Sequence, residues 1–154
     1  MPSALDNYKI CEKIPDILKQ QIKLFYVFDV SDGYNTLFVT FDDMVYGFGS
    51  NWFVQQWLGH NTPIETPVEV PELHHKNIQQ FFNGEDFVLA LNNDNYIYSF
   101  GYNKWGQLGM GLNGLPYNKP KHISYFSENL FKFDQISCGN NHTNFILILL
   151  NVLE

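Results

Sequence analysis

The chain is poor in cysteine and in long apolar runs, and each shortage argues against a class of protein. Its 154 residues include two cysteines, Cys11 and Cys138, whose spacing suits neither a disulfide framework nor a zinc site. The longest apolar run, Phe145–Leu150, falls far short of the ~20 residues that a membrane-spanning helix needs. The amino terminus lacks the apolar segment of a secretory signal. These features predict a cytoplasmic or nuclear protein that does not bind a membrane.

Positive charge is also scarce. Nine Lys and Arg residues stand against sixteen Asp and Glu residues, which gives a net charge of −7. Nucleic acids and anionic lipids are bound by basic surfaces, so neither is an expected partner.

Catalytic and cofactor motifs are missing too: the sequence has no G-x-S-x-G, no P-loop and no H-E-x-x-H. Gly109–Gly114 fits G-x-G-x-x-G, but Pro116 follows too soon for the helix that a dinucleotide site requires. His74 and His75 are adjacent and have no third metal ligand at useful spacing. We therefore predict no catalytic residue, no cofactor and no metal ion, and a protein that is not an enzyme.

Aromatic residues and glycine are plentiful, and they recur with a period. The run Phe100–Gly109 reads FGYNKWGQLG and follows a strand-like segment that begins at Tyr96. Phe48–Asn51 repeats its beginning at a spacing of 52 residues (100 − 48), and Leu58–Gly59 repeats its end. A period near 50 residues, built of short strands and tight turns, is typical of β-propeller blades.

Three successive units follow from this period, after a leader. Residues 1–22 form the leader, of which residues 1–13 are expected to be loosely held. Ile14, Ile17, Leu18 and Ile22 predict a short helix with one apolar stripe, which either covers an edge of the domain or docks on a partner. Residues 23–74 form a degenerate first repeat, residues 75–129 a second, and residues 130–154 part of a third.

Within these units, alternating apolar residues predict strands, with hairpin turns at Asp42–Asp43 and Asp94–Asn95. Val68–Val70 is predicted as an outer strand because prolines surround it. The other predicted strands cover residues 24–28, 36–40, 45–48, 78–82, 87–91, 96–100, 131–138 and 142–147.

The repeated residues resemble the motif of the regulator of chromosome condensation family. The first part of that motif matches at Tyr98, Phe100, Gly101, Asn103, Gly106, Gln107, Leu108, Gly109 and Gly111. The later parts match at Pro120, Ile123, Gly139, His142, Thr143 and Ile146. His142 is expected to have a structural role at an inward-facing strand start.

This resemblance implies an all-β fold: a partial β-propeller with about two complete blades, part of a third and a short N-terminal helix. It further implies that the chain is the opening fragment of a seven-bladed propeller. The leader and the degenerate first repeat resemble the N-terminal portion of the subfamily that joins such repeats to a BTB domain.

The function implied by the resemblance is a protein–protein interaction scaffold, the substrate-recognition part of a BTB/cullin ubiquitin-ligase adaptor. The alternative is a guanine-nucleotide exchange factor for a small GTPase. The expected partner is accordingly a protein: an unidentified one, a small GTPase or ubiquitin-ligase components.

Three aromatic residues, Trp52, Phe53 and Trp57, lie in a segment that is predicted to be a loop. Exposed aromatic residues in loops often anchor protein interfaces, so we predict that these three contact the partner. The alternative is local packing that replaces a glycine missing from the first repeat.

Overall fold

Ten strands in three antiparallel sheets make up the part of the chain that the computed structural model describes, which is residue 5 and residues 7–30, 33–50, 63–111, 115–124 and 131–150. The first sheet has the order β1 (Ile22–Val30), β2 (Gly33–Thr40), β3 (Val45–Gly49), β4 (Ile64–Glu69). The second has the order β5 (Ile78–Asn83), β6 (Phe87–Asn92), β7 (Ile97–Gly101), β8 (Tyr117–His122). The third pairs β9 (Phe131–Cys138) with β10 (Thr143–Leu149).

The second sheet is buried on both faces because it lies between the other two. Along β6, Val88 and Ala90 share an apolar cluster with the first sheet, whereas Leu89 and Leu91 share another with the third. Side chains alternate along a strand, so an uninterrupted apolar run serves two cores at once. This explains why residues 87–91 contain no polar side chain.

The first strands of the sheets contact one another in sequence order. β1 contacts β5, and β5 contacts β9. Between β1 and β5 the Tyr26 hydroxyl donates to Asn83 Oδ1 at 2.8 Å, and the Tyr26 ring lies 6.3 Å from that of Phe81. The sheets are therefore arranged side by side, joined along their first strands.

Each four-stranded sheet holds the start of the next one through its central hairpin turn. Asp43 and Asn95 occupy the left-handed region, with φ of 62° and 66°, as the predicted turns require. Asp43 Oδ2 accepts the Asn77 N–H at 2.8 Å. Asn95 Nδ2 donates to the Phe131 carbonyl at 2.8 Å, and its Oδ1 accepts the Phe133 N–H at 3.0 Å.

The leader differs from the prediction in two respects. Its helix, α1 (Asp16–Lys19), is only four residues long, and Ile17 is 75% exposed, so the predicted apolar stripe is wrong at that residue. One helical turn cannot present four apolar residues on one side. Residues 1–13 were expected to be loosely held, yet Leu5 and Cys11 are buried, and a 3-10 turn spans Lys9–Lys13.

The outer strands carry the weakest sequence signal. β4 confirms the predicted outer strand around Val68 and is longer, whereas β8 was not predicted as a strand. The sequence of β8, YNKPKH, has no apolar alternation and includes Pro120. Such a strand forms only at a sheet edge, where one side of its backbone needs no partner.

Candidate protein-interaction surface

The glycine-rich loop between β7 and β8 is held by the side chain of Asn103, which is fully buried. Its Nδ2 donates to the Gly111 carbonyl at 3.0 Å, and its Oδ1 accepts the Leu108 N–H at 3.1 Å. The Gly106 N–H donates to the Asn103 carbonyl at 3.2 Å. One amide side chain thus ties together both halves of the loop.

The loop is also fastened to the sheets beneath it. Ser99 Oγ donates to the Leu108 carbonyl at 3.0 Å, and the Leu108 side chain is fully buried. Thr143 Oγ1, on the third sheet, donates to the Gln107 carbonyl at 3.1 Å. The loop therefore moves only if the contact between the second and third sheets also changes.

Gly101 begins this loop and has no room for a side chain. Its φ is 112°, and a Cβ placed there would lie 2.5 Å from the Asp86 carbonyl oxygen and 2.7 Å from Phe87 Cα. Gly49 occupies the same position in the first sheet, where a Cβ would lie 2.5 Å from Asn35 Oδ1. The repeated aromatic–glycine pair marks the close approach of two strands at the end of each complete sheet.

Trp105 is a large side chain that this loop presents to solvent. It is 61% exposed, while its backbone N–H donates to Gln107 Oε1 at 2.9 Å. Lys104 Nζ lies 5.1 Å from the centre of the Trp105 ring, within the range of a cation–π contact. An exposed aromatic residue on a fixed backbone suits binding, because little conformational freedom is lost on association.

Two acidic residues lie on the hairpin next to this loop. The Tyr102 N–H donates to the Asp86 carbonyl at 2.8 Å, and the Glu85 N–H donates to the Asn140 carbonyl at 3.2 Å. Burial, and then the nearby charge of Glu85, raise the pKa of Asp86. The loop that carries Lys104 and Trp105 is thus hydrogen-bonded through Tyr102 to the turn that carries Glu85 and Asp86. We call this surface the Trp105 rim, made of Glu85, Asp86, Lys104 and Trp105.

Sequence reasoning did not select Trp105, although it lies inside the stretch on which the repeat was recognised. The matched residues of that stretch, such as Asn103, Gln107 and Leu108, are buried and shape the loop. Trp105 is a large aromatic residue at a position that the repeat motif leaves unspecified, and this is the signal that could have found it.

The partner-contact residues predicted from the sequence, Trp52, Phe53 and Trp57, lie outside the described residues. Their assignment stays a prediction.

The surroundings of the histidines correct one prediction. The predicted inward position of His142 is wrong, since the residue is exposed. Its ring lies over Gly139, where a Cβ would come within 2.2 Å of the ring. The equivalent residue in the second sheet is Phe87, which is buried because it lies opposite Gly101 of β7. The described part of the third sheet has no strand equivalent to β7 beside His142.

His74 Nε2 lies 3.2 Å from the Val45 carbonyl, while the neighbouring His75 is exposed. Among the residues that the structure describes, no group of three or more His, Cys, Asp or Glu side chains could hold a metal ion. The helices of this described part are also all too short or too polar to cross a membrane.

Side-by-side antiparallel sheets joined along their first strands, with stiff loops at one end, define a partial β-propeller. Residues 94–146 match the family model described as the Regulator of chromosome condensation (RCC1) repeat. The matched segment runs from the Asn95 turn through Gln107 to Thr143, so it contains the hydrogen bonds by which Asn95 and Thr143 join the second and third sheets.

The chain is similar in sequence to several known proteins. It is 31% identical over 111 residues to the ultraviolet-B receptor UVR8 of Arabidopsis thaliana, covering 71% of this chain and 24% of that protein. It is 30% identical over 140 residues to protein RCC1 of Candida albicans, covering 80% of this chain and 30% of that protein. It is 34% identical over 136 residues to the probable E3 ubiquitin-protein ligase HERC4 of Rattus norvegicus, covering 87% of this chain and 13% of that protein. The chain thus spans a third or less of each relative's length.

The fold likeness is visible in a solved structure as well. The crystal structure of Prp20p from Saccharomyces cerevisiae, a protein described by its binding to Gsp1p and histones, superposes with a TM-score of 0.62 at 12% identity. The superposition covers 84% of this chain and 33% of Prp20p. These findings confirm the predicted partial β-propeller. The assignment to the BTB-containing subfamily and the seven-blade count stay predictions.

Proposed function

We propose that this protein is a non-enzymatic propeller scaffold that binds another protein through the Trp105 rim. The observation that carries the proposal is the 61% exposure of Trp105 on a loop whose backbone is held by Asn103, Ser99 and Thr143. Tryptophan is among the residues that dominate the binding energy of many interfaces, and a prearranged loop avoids the entropic cost of ordering.

Within this role, we propose substrate recognition for a ubiquitin ligase, in the cytoplasm or nucleus. The similarity to HERC4, whose name describes a probable ubiquitin ligase, and the resemblance to the BTB-containing subfamily support this finer proposal. In such a protein the propeller selects the partner, and the ligase function resides in other parts of the molecule or in an associated protein.

The test compares Trp105→Ala with a matched control, Phe41→Ala. Phe41 is 71% exposed and lies in the β2–β3 turn, at the opposite end of the sheets from the glycine-rich loop. Proteins recovered by affinity purification with each variant would be quantified by mass spectrometry. A recovered partner would then be purified, and its Kd for each variant measured by calorimetry.

We expect a partner that wild type and Phe41→Ala retain and that Trp105→Ala loses, with a Kd at least about 30-fold higher for Trp105→Ala. Equal affinities for the three proteins would show that the Trp105 rim is not the docking surface. Circular dichroism of both variants serves as the folding control.

The alternative function is guanine-nucleotide exchange on a small GTPase. It is favoured by the similarity to Candida RCC1 and to Prp20p, and by the carboxylates of Glu85 and Asp86 on the rim, which could compete with phosphates for magnesium. Release of a fluorescent guanine nucleotide from a panel of small GTPases would be measured with and without the protein. Acceleration for one GTPase would support exchange activity, and unchanged release for all would refute it.

A further inference from the structure

A hydrogen bond between the first and second sheets ends on an Asn–Gly pair. Asn83 is the last residue of β5, and Gly84 follows it. The Tyr26 hydroxyl of β1 donates to Asn83 Oδ1 at 2.8 Å, and Asn83 Nδ2 donates to the Gly84 carbonyl at 2.9 Å. Both ends of the Asn83 amide are therefore held, one of them by a different sheet.

This pair of residues can modify itself without an enzyme. The Gly84 backbone nitrogen attacks Asn83 Cγ, and glycine leaves this approach open because it has no side chain. A bond forms between the nitrogen and Cγ, the bond from Cγ to Nδ2 breaks, and Nδ2 leaves as ammonia with the proton that the Gly84 nitrogen gives up. The product is a succinimide ring. One water molecule then opens the ring, and position 83 becomes aspartate if Cγ takes the hydroxyl or isoaspartate if the backbone carbonyl carbon takes it.

The folded backbone opposes the first step. The Gly84 N–H donates to the Phe87 carbonyl at 3.0 Å, so the attacking nitrogen is engaged. Asn83 is paired with Val88 in the ladder between β5 and β6, which keeps its backbone extended. An intramolecular attack proceeds only from a conformer that brings the reacting atoms into contact in the right direction. Because an amide that is hydrogen-bonded at both ends does not rotate freely, the bond to Tyr26 has to break before the Asn83 side chain turns towards the Gly84 nitrogen.

Tyr26 is the part of this restraint that belongs to the first sheet. Its ring stacks on Phe28 at 5.9 Å and lies 6.3 Å from the Phe81 ring. Burial, and then the nearby Cys138, raise the pKa of Tyr26, so its hydroxyl remains a proton donor in mildly alkaline solution. Since the ring is packed, the hydroxyl leaves Asn83 when the contact between β1 and β5 opens.

Among the sheets that the structure describes, this arrangement is confined to the contact between the first and the second. In the third sheet the residue equivalent to Asn83 is Cys138, because each is followed by a glycine and each faces the first residues of the next strand, Val88 and Thr143 respectively. The contact between the second and third sheets therefore has no amide at this position, and it provides the comparison for a test.

Modification would disturb a crowded place. A Cβ placed on Gly84 would meet the Phe87 ring and would lie 2.6 Å from the Gly139 carbonyl oxygen, so the backbone has no room to shift. Isoaspartate adds one carbon to the backbone directly before Gly84. Aspartate lacks the N–H that Asn83 Nδ2 donates, and it sets a carboxylate oxygen against the Gly84 carbonyl. Either product therefore weakens the packing around Gly84.

We propose that Asn83–Gly84 is a modification site that is gated by the contact between the first and second sheets. With the contact closed, the Tyr26 bond holds the amide and the pair is stable. When β1 separates locally from β5, the amide is released, the succinimide forms, and the modified residue prevents the contact from closing as before. The site thus converts a transient opening into a lasting covalent change.

The test measures deamidation at Asn83 in the full chain at mildly alkaline pH. Samples taken over time would be digested, and the peptide that contains Asn83 would be quantified by mass spectrometry, with aspartate and isoaspartate separated by chromatography. Tyr26→Phe removes the gating hydroxyl and keeps the ring. Thr143→Val is the matched control, because it removes one hydrogen bond from the contact between the second and third sheets. Wild type in denaturing urea gives the rate of the unrestrained pair.

We expect wild type to react at least about tenfold more slowly when folded than in urea, and Tyr26→Phe to react about fivefold faster than folded wild type. Thr143→Val should react at the wild-type rate. Hydrogen exchange of residues 78–84 should be faster in Asn83→Asp, which mimics one product, than in wild type.

Equal rates for wild type and Tyr26→Phe would overturn the proposal. An equal acceleration by Thr143→Val would overturn it as well, because the reaction would then follow global unfolding and not this contact. A folded wild type that reacts as fast as it does in urea would be a third contradiction, and this measurement does not depend on how well a variant folds.

Discussion

Valine substitutions at Thr143 and Thr36, made one at a time, should change stability in opposite directions. The two residues occupy equivalent positions in the third and first sheets, but only the Thr143 hydroxyl has a partner, the Gln107 carbonyl at 3.1 Å. Valine keeps the branched shape of threonine. The second sheet already has Val88 at this position, 5% exposed, so the shape is compatible with the packing.

The expected magnitudes follow from the two environments. Thr143→Val removes a hydrogen bond worth about 1 kcal/mol and leaves the Gln107 carbonyl without that donor, so the free energy of unfolding should fall by about 1–2 kcal/mol. Burial of an unpaired hydroxyl costs about 1–3 kcal/mol in proteins. Thr36→Val removes that cost, and the free energy of unfolding should rise by about 1 kcal/mol.

Urea unfolding followed by tryptophan fluorescence measures both effects, provided that the m-value is unchanged. Thr143→Ser is the matched control: it keeps the hydroxyl and should retain most of the stability lost in Thr143→Val. If Thr36→Val and Thr143→Val shift stability in the same direction, the argument that the Thr36 hydroxyl is buried without a hydrogen-bond partner among the described residues is refuted.

Three further substitutions test the turns and the ion pair. Gly101→Ala should lower the free energy of unfolding by about 3 kcal/mol, because the φ of 112° at this position and a backbone oxygen 2.5 Å from the new Cβ both oppose a side chain. A thermal melt that matches wild type would contradict this expectation. Asn95→Ala should lower the free energy of unfolding in urea by about 2–3 kcal/mol, because it removes two hydrogen bonds to β9 and puts alanine at a φ of 66°. A decrease below about 0.5 kcal/mol would contradict the conclusion that the Asn95 turn holds β9. The hydrogen bond from Lys119 lowers the pKa of Glu72, so this pKa is lower in the folded protein than in the unfolded chain. The pair of Glu72 and Lys119 therefore stabilises the fold fully at a pH above the pKa of the unfolded chain. This stabilisation is lost as the pH falls through the pKa of Glu72 in the folded protein. Glu72→Gln should therefore reduce stability by less than about 1 kcal/mol at pH 7, and by nothing once the pH is below the folded pKa; an equal loss at both pH values would contradict this.

The strands and turns of the sheet interiors could be predicted because their signals are local. The run at residues 87–91 is apolar throughout, and it forms a strand buried on both faces. Asn95 was placed at a hairpin position that requires a positive φ, and it has one. The matches of Phe48–Asn51 with Phe100–Asn103 and of Leu58–Gly59 with Leu108–Gly109 predicted repeated units of the same kind.

The candidate site depended on contacts that a single sequence does not display. Trp105 could not be told from a core aromatic residue, because exposure is decided by which neighbours fold around it. The bond from Thr143 to Gln107 joins residues 36 positions apart, in different sheets. β8 was missed for a related reason: its backbone is held by β7, while its own side chains carry little signal.

The sequence by itself determined the repeat, its period and the sheet type, since periodicity and turn chemistry act over a few neighbouring residues. Only the tertiary structure decided which sides of the sheets are occupied. Cys11 lies in a polar stretch of the leader, yet it is buried because the first sheet offers an aromatic face that no preceding sheet covers within the described residues. Burial of this kind depends on the total apolar area that distant segments remove from water, and that quantity exists only once the chain has folded.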